Sequence, residues 1–135
     1  MPDGVEADCA RCVACAAAEL WLWYGFQNFP PVTSAIYLYA QCLKGELGGI
    51  MLLIINADRH HSIKLNLPTA SERYTLTAEK LEDSTVELNG KPLRLTSSGD
   101  LPPVVGEPVK AGRVSFAPIS ITFLTIAKAG NANCQ

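Results

Sequence analysis

The sequence predicts an all-β fold, an antiparallel sandwich or barrel of about eight short strands. Two observations carry this. From residue 34 to 128, short runs of alternating or apolar β-type residues recur at close intervals, separated by Gly, Pro, Asn and Asp. In the same span no stretch carries a 3.6-residue apolar face, so there are no crossover helices to support a parallel sheet.

Ala35–Cys42 (A-I-Y-L-Y-A-Q-C) alternates, with Ile36, Leu38 and Ala40 opposite Tyr37 and Tyr39. Ile50–Asn56 (I-M-L-L-I-I-N) is apolar almost throughout, the pattern of a central strand covered on both faces or of a sandwich-core strand. His61–Leu67 alternates strictly and sets Ile63, Leu65 and Leu67 on one face, and Arg73–Ala78 continues the pattern weakly. Arg113–Ala117 and Ile121–Ala127 supply the last two strands. Pro68, Pro102, Pro103, Pro108 and Pro118 are expected between strands, where they remove no ladder donor.

The strongest local signal is S-T-V-E-L-N-G-K-P-L-R-L at 84–95. Asn89-Gly90 is a preferred pair for a type I′ turn, whose two central residues both need positive φ. A two-residue loop sets Leu88 opposite Lys91, Glu87 opposite Pro92 and Val86 opposite Leu93. Val86, Leu88, Leu93 and Leu95 then share one face, expected to be the core face. Pro92 falls in a non-hydrogen-bonded pair, so its missing N–H points outward, at an edge.

At 135 residues the chain suits one domain with a core of its own. Its texture divides it into a Cys-, Ala- and aromatic-rich segment, 1–33, and a β-region, 34–135. With a net charge of about −2 and eleven scattered Lys and Arg, it has no basic stripe to attract nucleic acid or anionic membrane. Val13–Phe29 is mostly apolar, but Glu19, Gln27 and Asn28 interrupt it, so no membrane span is predicted. Asp3, Glu6 and Asp8 precede Arg11, which is not the basic opening of a signal peptide.

Cys9, Cys12 and Cys15 are spaced like half an iron–sulfur run, but Ala18 and Glu19 stand where a fourth ligand would follow. Zinc would need His60 or His61 to complete the set, and both lie in the polar turn D-R-H-H-S, the setting of exposed turn histidines. Glu79, Glu82 and Asp83 read as a solvated loop, and Asp100 as a turn residue. No catalytic, cofactor-binding or metal-binding residue is assigned, and no cofactor is expected.

Taken together, V-E-L-N-G-K-P-L-R-L, S-G-D-L-P-P and K-A-G-R-V-S-F-A-P-I-S-I-T-F-L-T-I resemble the C-terminal β-domain of the heparanase-like glycoside hydrolases, family 79. A-I-Y-L-Y-A-Q-C is similar to the family's strand ending in cysteine, G-G-I-M-L-L-I-I-N to its central strand ending in Asn, and N-A-N-C to its tail. The resemblance spans roughly residues 35–134 and implies a β-sandwich that accompanies a catalytic (β/α)₈ barrel cleaving glucuronides. It also implies a disulfide between Cys42 and Cys134 and an extracellular, lysosomal or secretory location.

The family's acid/base glutamate follows an asparagine, and no Asn-Glu dipeptide occurs in this sequence. Neither glutamate of the catalytic pair is carried over, and a barrel of some 200 residues has no room in this chain. The expectation is a non-catalytic fragment of a β-glucuronidase-type enzyme, inactive alone, whose partner is that barrel. The alternative is a free-standing module that binds a glycan or a protein, with Tyr37, Tyr39 and Tyr74 as the sugar-stacking candidates. A surface left without its barrel invites self-association, and Trp21, Trp23 and Phe26 are candidates to cover it or to form a dimer contact.

Overall fold

A computed structural model describes residues 35–135; the N-terminal segment, with Cys9, Cys12, Cys15, Trp21, Trp23 and Phe26, lies outside the described residues. Nine strands and no helix occur among them. They are β1 (Ile36–Cys42), β2 (Ile50–Asn56), β3 (Ile63–Leu67), β4 (Ser71–Thr77), β5 (Glu87–Leu88), β6 (Lys91–Pro92), β7 (Glu107–Val109), β8 (Gly112–Phe116) and β9 (Ser120–Ile126).

The larger sheet runs β1-β2-β9-β4-β5-β6, with β7 also paired to β4, and β3 and β8 form a second sheet. All pairings are antiparallel. Period-2 alternation decides which side chains go inside. Ile50, Leu52 and Ile54 of β2 and Leu124 and Ile126 of β9 form one core with Ile63, Leu65 and Leu67 of β3 and Val114 and Phe116 of β8. Each large side chain buried this way contributes about 1.5–3 kcal/mol of transfer free energy.

Some polar groups on the inner face are paired across strands, while Ser71 Oγ and Arg73 Nε are buried without a partner among the described residues. Thr122 is fully buried, and its hydroxyl meets that of Thr75 at 3.0 Å. Arg73, opposite Leu124, reaches β8 and donates to the Ser115 carbonyl at 3.4 Å and to Glu107 at 3.2 Å. Its aliphatic stem and charged head thus link the two sheets.

The hairpin register is the predicted one, Leu88 opposite Lys91 and Glu87 opposite Pro92, with Leu93 N–H donating to the Val86 carbonyl at 2.8 Å. Asn89 and Gly90 have φ of 50° and 75°, so both adopt the left-handed backbone a type I′ turn needs.

The face is not the predicted one. Leu88 stands beside Leu76, and Leu76 beside Ile121, which points out of the sandwich. Val86, Leu88 and Leu93 are therefore only half-buried, and Leu95 is exposed. The hairpin extends the large sheet at its margin, and the parity of β4 assigns its apolar side to the outer face.

One further expectation needs correction. Residues 107–109 form a strand that the sequence did not announce, and Pro108 lies inside it, opposite Glu72. β7 tolerates proline because, among the described residues, β4 is its one partner and its other edge is unpaired. Of the two readings open for β2, the sandwich-core strand holds: Met51, Leu53 and Ile55 face outward and are half-exposed, so the strand alternates in burial although not in polarity.

The strand β4 changes neighbours midway, from β7 at residues 71–73 to β5 at 76–77. Asn89 bridges the change. Its backbone N–H donates to the Thr75 carbonyl at 2.8 Å, and its Oδ1 accepts from Thr75 N–H at 2.8 Å. Its Nδ2 donates to the Arg73 carbonyl at 3.1 Å and the Val105 carbonyl at 3.4 Å. Asn89→Gly keeps the turn but removes every side-chain bond, and is expected to lower stability by about 1–3 kcal/mol in urea unfolding. A change near zero would reduce Asn89 to a turn residue.

Candidate interaction surface and groove

The disulfide implied by the resemblance is present. Cys42, at the end of β1, joins Cys134 across 92 residues, with Cα atoms 5.2 Å apart. The tail it anchors also exchanges backbone bonds with the β1–β2 loop. Gly48 donates to the Cys134 carbonyl at 2.5 Å, and Asn131 donates to the Gly48 carbonyl at 3.0 Å. Gly48 has a φ of +72° and close backbone neighbours at Gly130 and Asn131, so a side chain there would be strained. Ala129 and Cys134 are buried, which makes the C-terminal residues part of the core.

The outer face of the large sheet is apolar across its width. One row runs Tyr37–Ile55–Ile121–Leu76, and a parallel row runs Tyr39–Leu53–Phe123–Tyr74. Tyr37, Tyr39 and Ile121 expose 48%, 47% and 40% of their surface. Tyr74, the third predicted aromatic, is packed instead. Its hydroxyl donates to Glu72 at 2.9 Å, which raises its pKa, and its ring lies so close to Gly106 that a Cβ there would come within 2.7 Å.

At one end of this face a groove of about 450 Å³ opens beside the 57–61 loop and the 117–119 turn. Leu76, Leu81, Val86, Ile119 and Ile121 supply apolar walls, and Arg59 and Lys80 lie among its lining residues. Asn56 organises both loops. Buried at the end of β2, it donates to the carbonyls of His61 (2.9 Å), Ala117 (3.0 Å) and Phe116 (3.4 Å) and accepts from Asp58 N–H (3.1 Å).

Asp58 accepts from the N–H groups of His60 and His61 at 2.7 and 2.9 Å, bonds that hold its carboxyl below the usual carboxylate range. Its own carbonyl accepts from Ile119 N–H at 3.1 Å. Ile119 has a φ of 48°, an uncommon conformation for a β-branched residue, costing on the order of 1–3 kcal/mol. That strained residue passes the chain from the small sheet to the large one and forms part of the groove wall.

Other predicted positions read as loops. His60 and His61 are exposed in their turn, and among the described residues no group of three or more His, Cys, Asp or Glu is placed to hold a metal. Glu79, Glu82 and Asp83 are exposed. Asp100 caps a turn, receiving the Ser98 hydroxyl at 2.8 Å. No helix among the described residues is long and apolar enough to cross a membrane.

No protein-family model matches the chain, and no curated protein matches it. Among solved structures it is similar to a thermostable GH51 α-L-arabinofuranosidase from Thermotoga petrophila RKU-1. That likeness has 12% identity and a TM-score of 0.43, and covers 68% of this chain and 19% of that one. The chain thus matches about a fifth of the arabinofuranosidase's length.

Proposed function

We propose that the chain is the non-catalytic, stabilising β-sandwich of a family 79 glycoside hydrolase of the β-glucuronidase or heparanase-like type. Its partner is a (β/α)₈ barrel that carries the reaction. The ordered run of family-like motifs along 35–134 supports the family. The observation that carries the docking role is the outer face of the large sheet, where Tyr37, Tyr39 and Ile121 stand exposed beside half-exposed Leu53, Ile55 and Phe123. An apolar surface of this kind marks a contact with another protein surface. The Cys42–Cys134 disulfide supports an extracellular, lysosomal or secretory setting, where oxidising conditions preserve it.

The test is reconstitution. A family 79 barrel deprived of its own sandwich is assayed on an aryl β-glucuronide with and without this chain. The expected result is no turnover by the chain alone and a restored, more heat-resistant activity in the mixture. Turnover by the chain alone, or a barrel indifferent to its presence, contradicts the proposal.

The exposure of Tyr37 and Tyr39 on one strand face also favours a second reading, a glycan-binding module. Retardation of the chain in gels containing a soluble glycan, abolished by Tyr39→Ala, would select it.

A further inference from the structure

We propose that the groove beside the 57–61 loop binds a small amphipathic acid, an apolar aryl or alkyl body ending in one carboxylate. This goes beyond the docking role of the sheet face, with which the groove shares Ile55, Leu76 and Ile121. Its volume of about 450 Å³ lies within the range of sites that enclose small molecules, roughly 300–1,000 Å³.

The walls are mostly hydrocarbon, and two of the polar groups among them, on Asn56 and Ser120, are committed elsewhere. The Asn56 amide is held by three carbonyls, and the Ser120 hydroxyl donates to the Ala117 carbonyl at 2.6 Å. Arg59 and Lys80 are different. Among the described residues the ion pairs are His61–Asp58 and Arg73–Glu107, so neither of these two cations has a carboxylate partner. Glu79 and Glu82 border an adjoining hollow that shares Arg59, yet neither closes an ion pair with it. On a chain of net charge −2, two unpaired cations beside one apolar groove are a local attraction for an anion, not a reflection of the overall charge.

The site is also built in advance. Asn56 and Asp58 fix the loop bearing Arg59, and the strained backbone of Ile119 is held against that loop by its bond to Asp58. Strain of this kind persists where the surroundings over-determine it, and collects at ligand sites. A preformed wall spares the ligand the ordering cost of binding.

The test compares 2-naphthoate with its neutral isostere 2-naphthamide on the full chain, by amide chemical-shift titration. Naphthoate is expected to give saturable shifts confined to residues 57–59, 78–81 and 118–121, and to bind roughly tenfold more tightly than the amide. Arg59→Gln with Lys80→Gln, at two exposed positions that leave the fold intact, should erase that preference while amide binding persists. The proposal is overturned if naphthoate produces no saturable shift. It is equally overturned if amide and acid bind alike, if the double variant keeps the preference, or if the shifts map to Tyr39, Leu53 and Phe123 instead.

Discussion

Replacing Cys42 and Cys134 with serine is expected to lower the free energy of unfolding by about 4 kcal/mol, since the disulfide closes a long loop of the unfolded chain. The loop runs from the end of β1 to the tail after β9 and so holds nearly the whole described domain. The effect should appear as a lower denaturant midpoint in the double variant under non-reducing conditions. The tail should also lose amide protection at Asn131 and Cys134, whose N–H groups are hydrogen-bonded only to nearby loop carbonyls. A loss below about 1 kcal/mol would show that the fold does not depend on this link.

Asn56→Leu should be comparably damaging, by about 3 kcal/mol or more, although leucine is close in size and strongly apolar. The reason is what it leaves behind. Three carbonyls, of His61, Phe116 and Ala117, lose their donor, and Asp58 N–H loses its acceptor, in a place where Asn56 is 1% exposed. Stranded buried groups cost more than the bonds were worth, so greater hydrophobicity does not offset them. Equilibrium unfolding measures the loss, and faster amide exchange at Ile119, whose N–H depends on the loop Asn56 secures, locates it. An Asn56→Leu protein as stable as the parent would contradict this account of the two loops.

Much of the fold was legible because inside and outside alternate with the strand period. Ile63, Leu65 and Leu67 on β3, and Ile36, Leu38 and Ala40 against Tyr37 and Tyr39 on β1, lie on the faces their spacing predicts. The hairpin register was legible because Asn-Gly admits few loops. Its burial was not, since periodicity says which residues share a face and not which face meets the core; that was decided by Leu88 joining Leu76 and Ile121 outside. β7 was hidden because a three-residue strand containing Pro108 has no pattern to detect.

At the candidate surface the shared strand face of Tyr37 and Tyr39 could be read in advance, though not their exposure, and Asn56, Asn89, Arg59 and Ile119 gave no such signal. Asn56 appears in sequence only as the polar end of an apolar run, and its partners lie up to 61 residues away. Asn89 announces a turn, but nothing local tells that its amide reaches β4. Ile119 carries no signal of a positive φ, which glycine or asparagine would have given.

The central claim is that the outer face of the large sheet docks a catalytic barrel, and direct binding tests it most closely. Calorimetric titration of this chain into a family 79 barrel lacking its sandwich should give a saturable one-to-one complex. Tyr39→Glu, which adds a charge to an exposed position on that face, should abolish the complex while leaving the thermal unfolding of the chain unchanged. No binding by the parent chain, or undiminished binding by Tyr39→Glu, would contradict it.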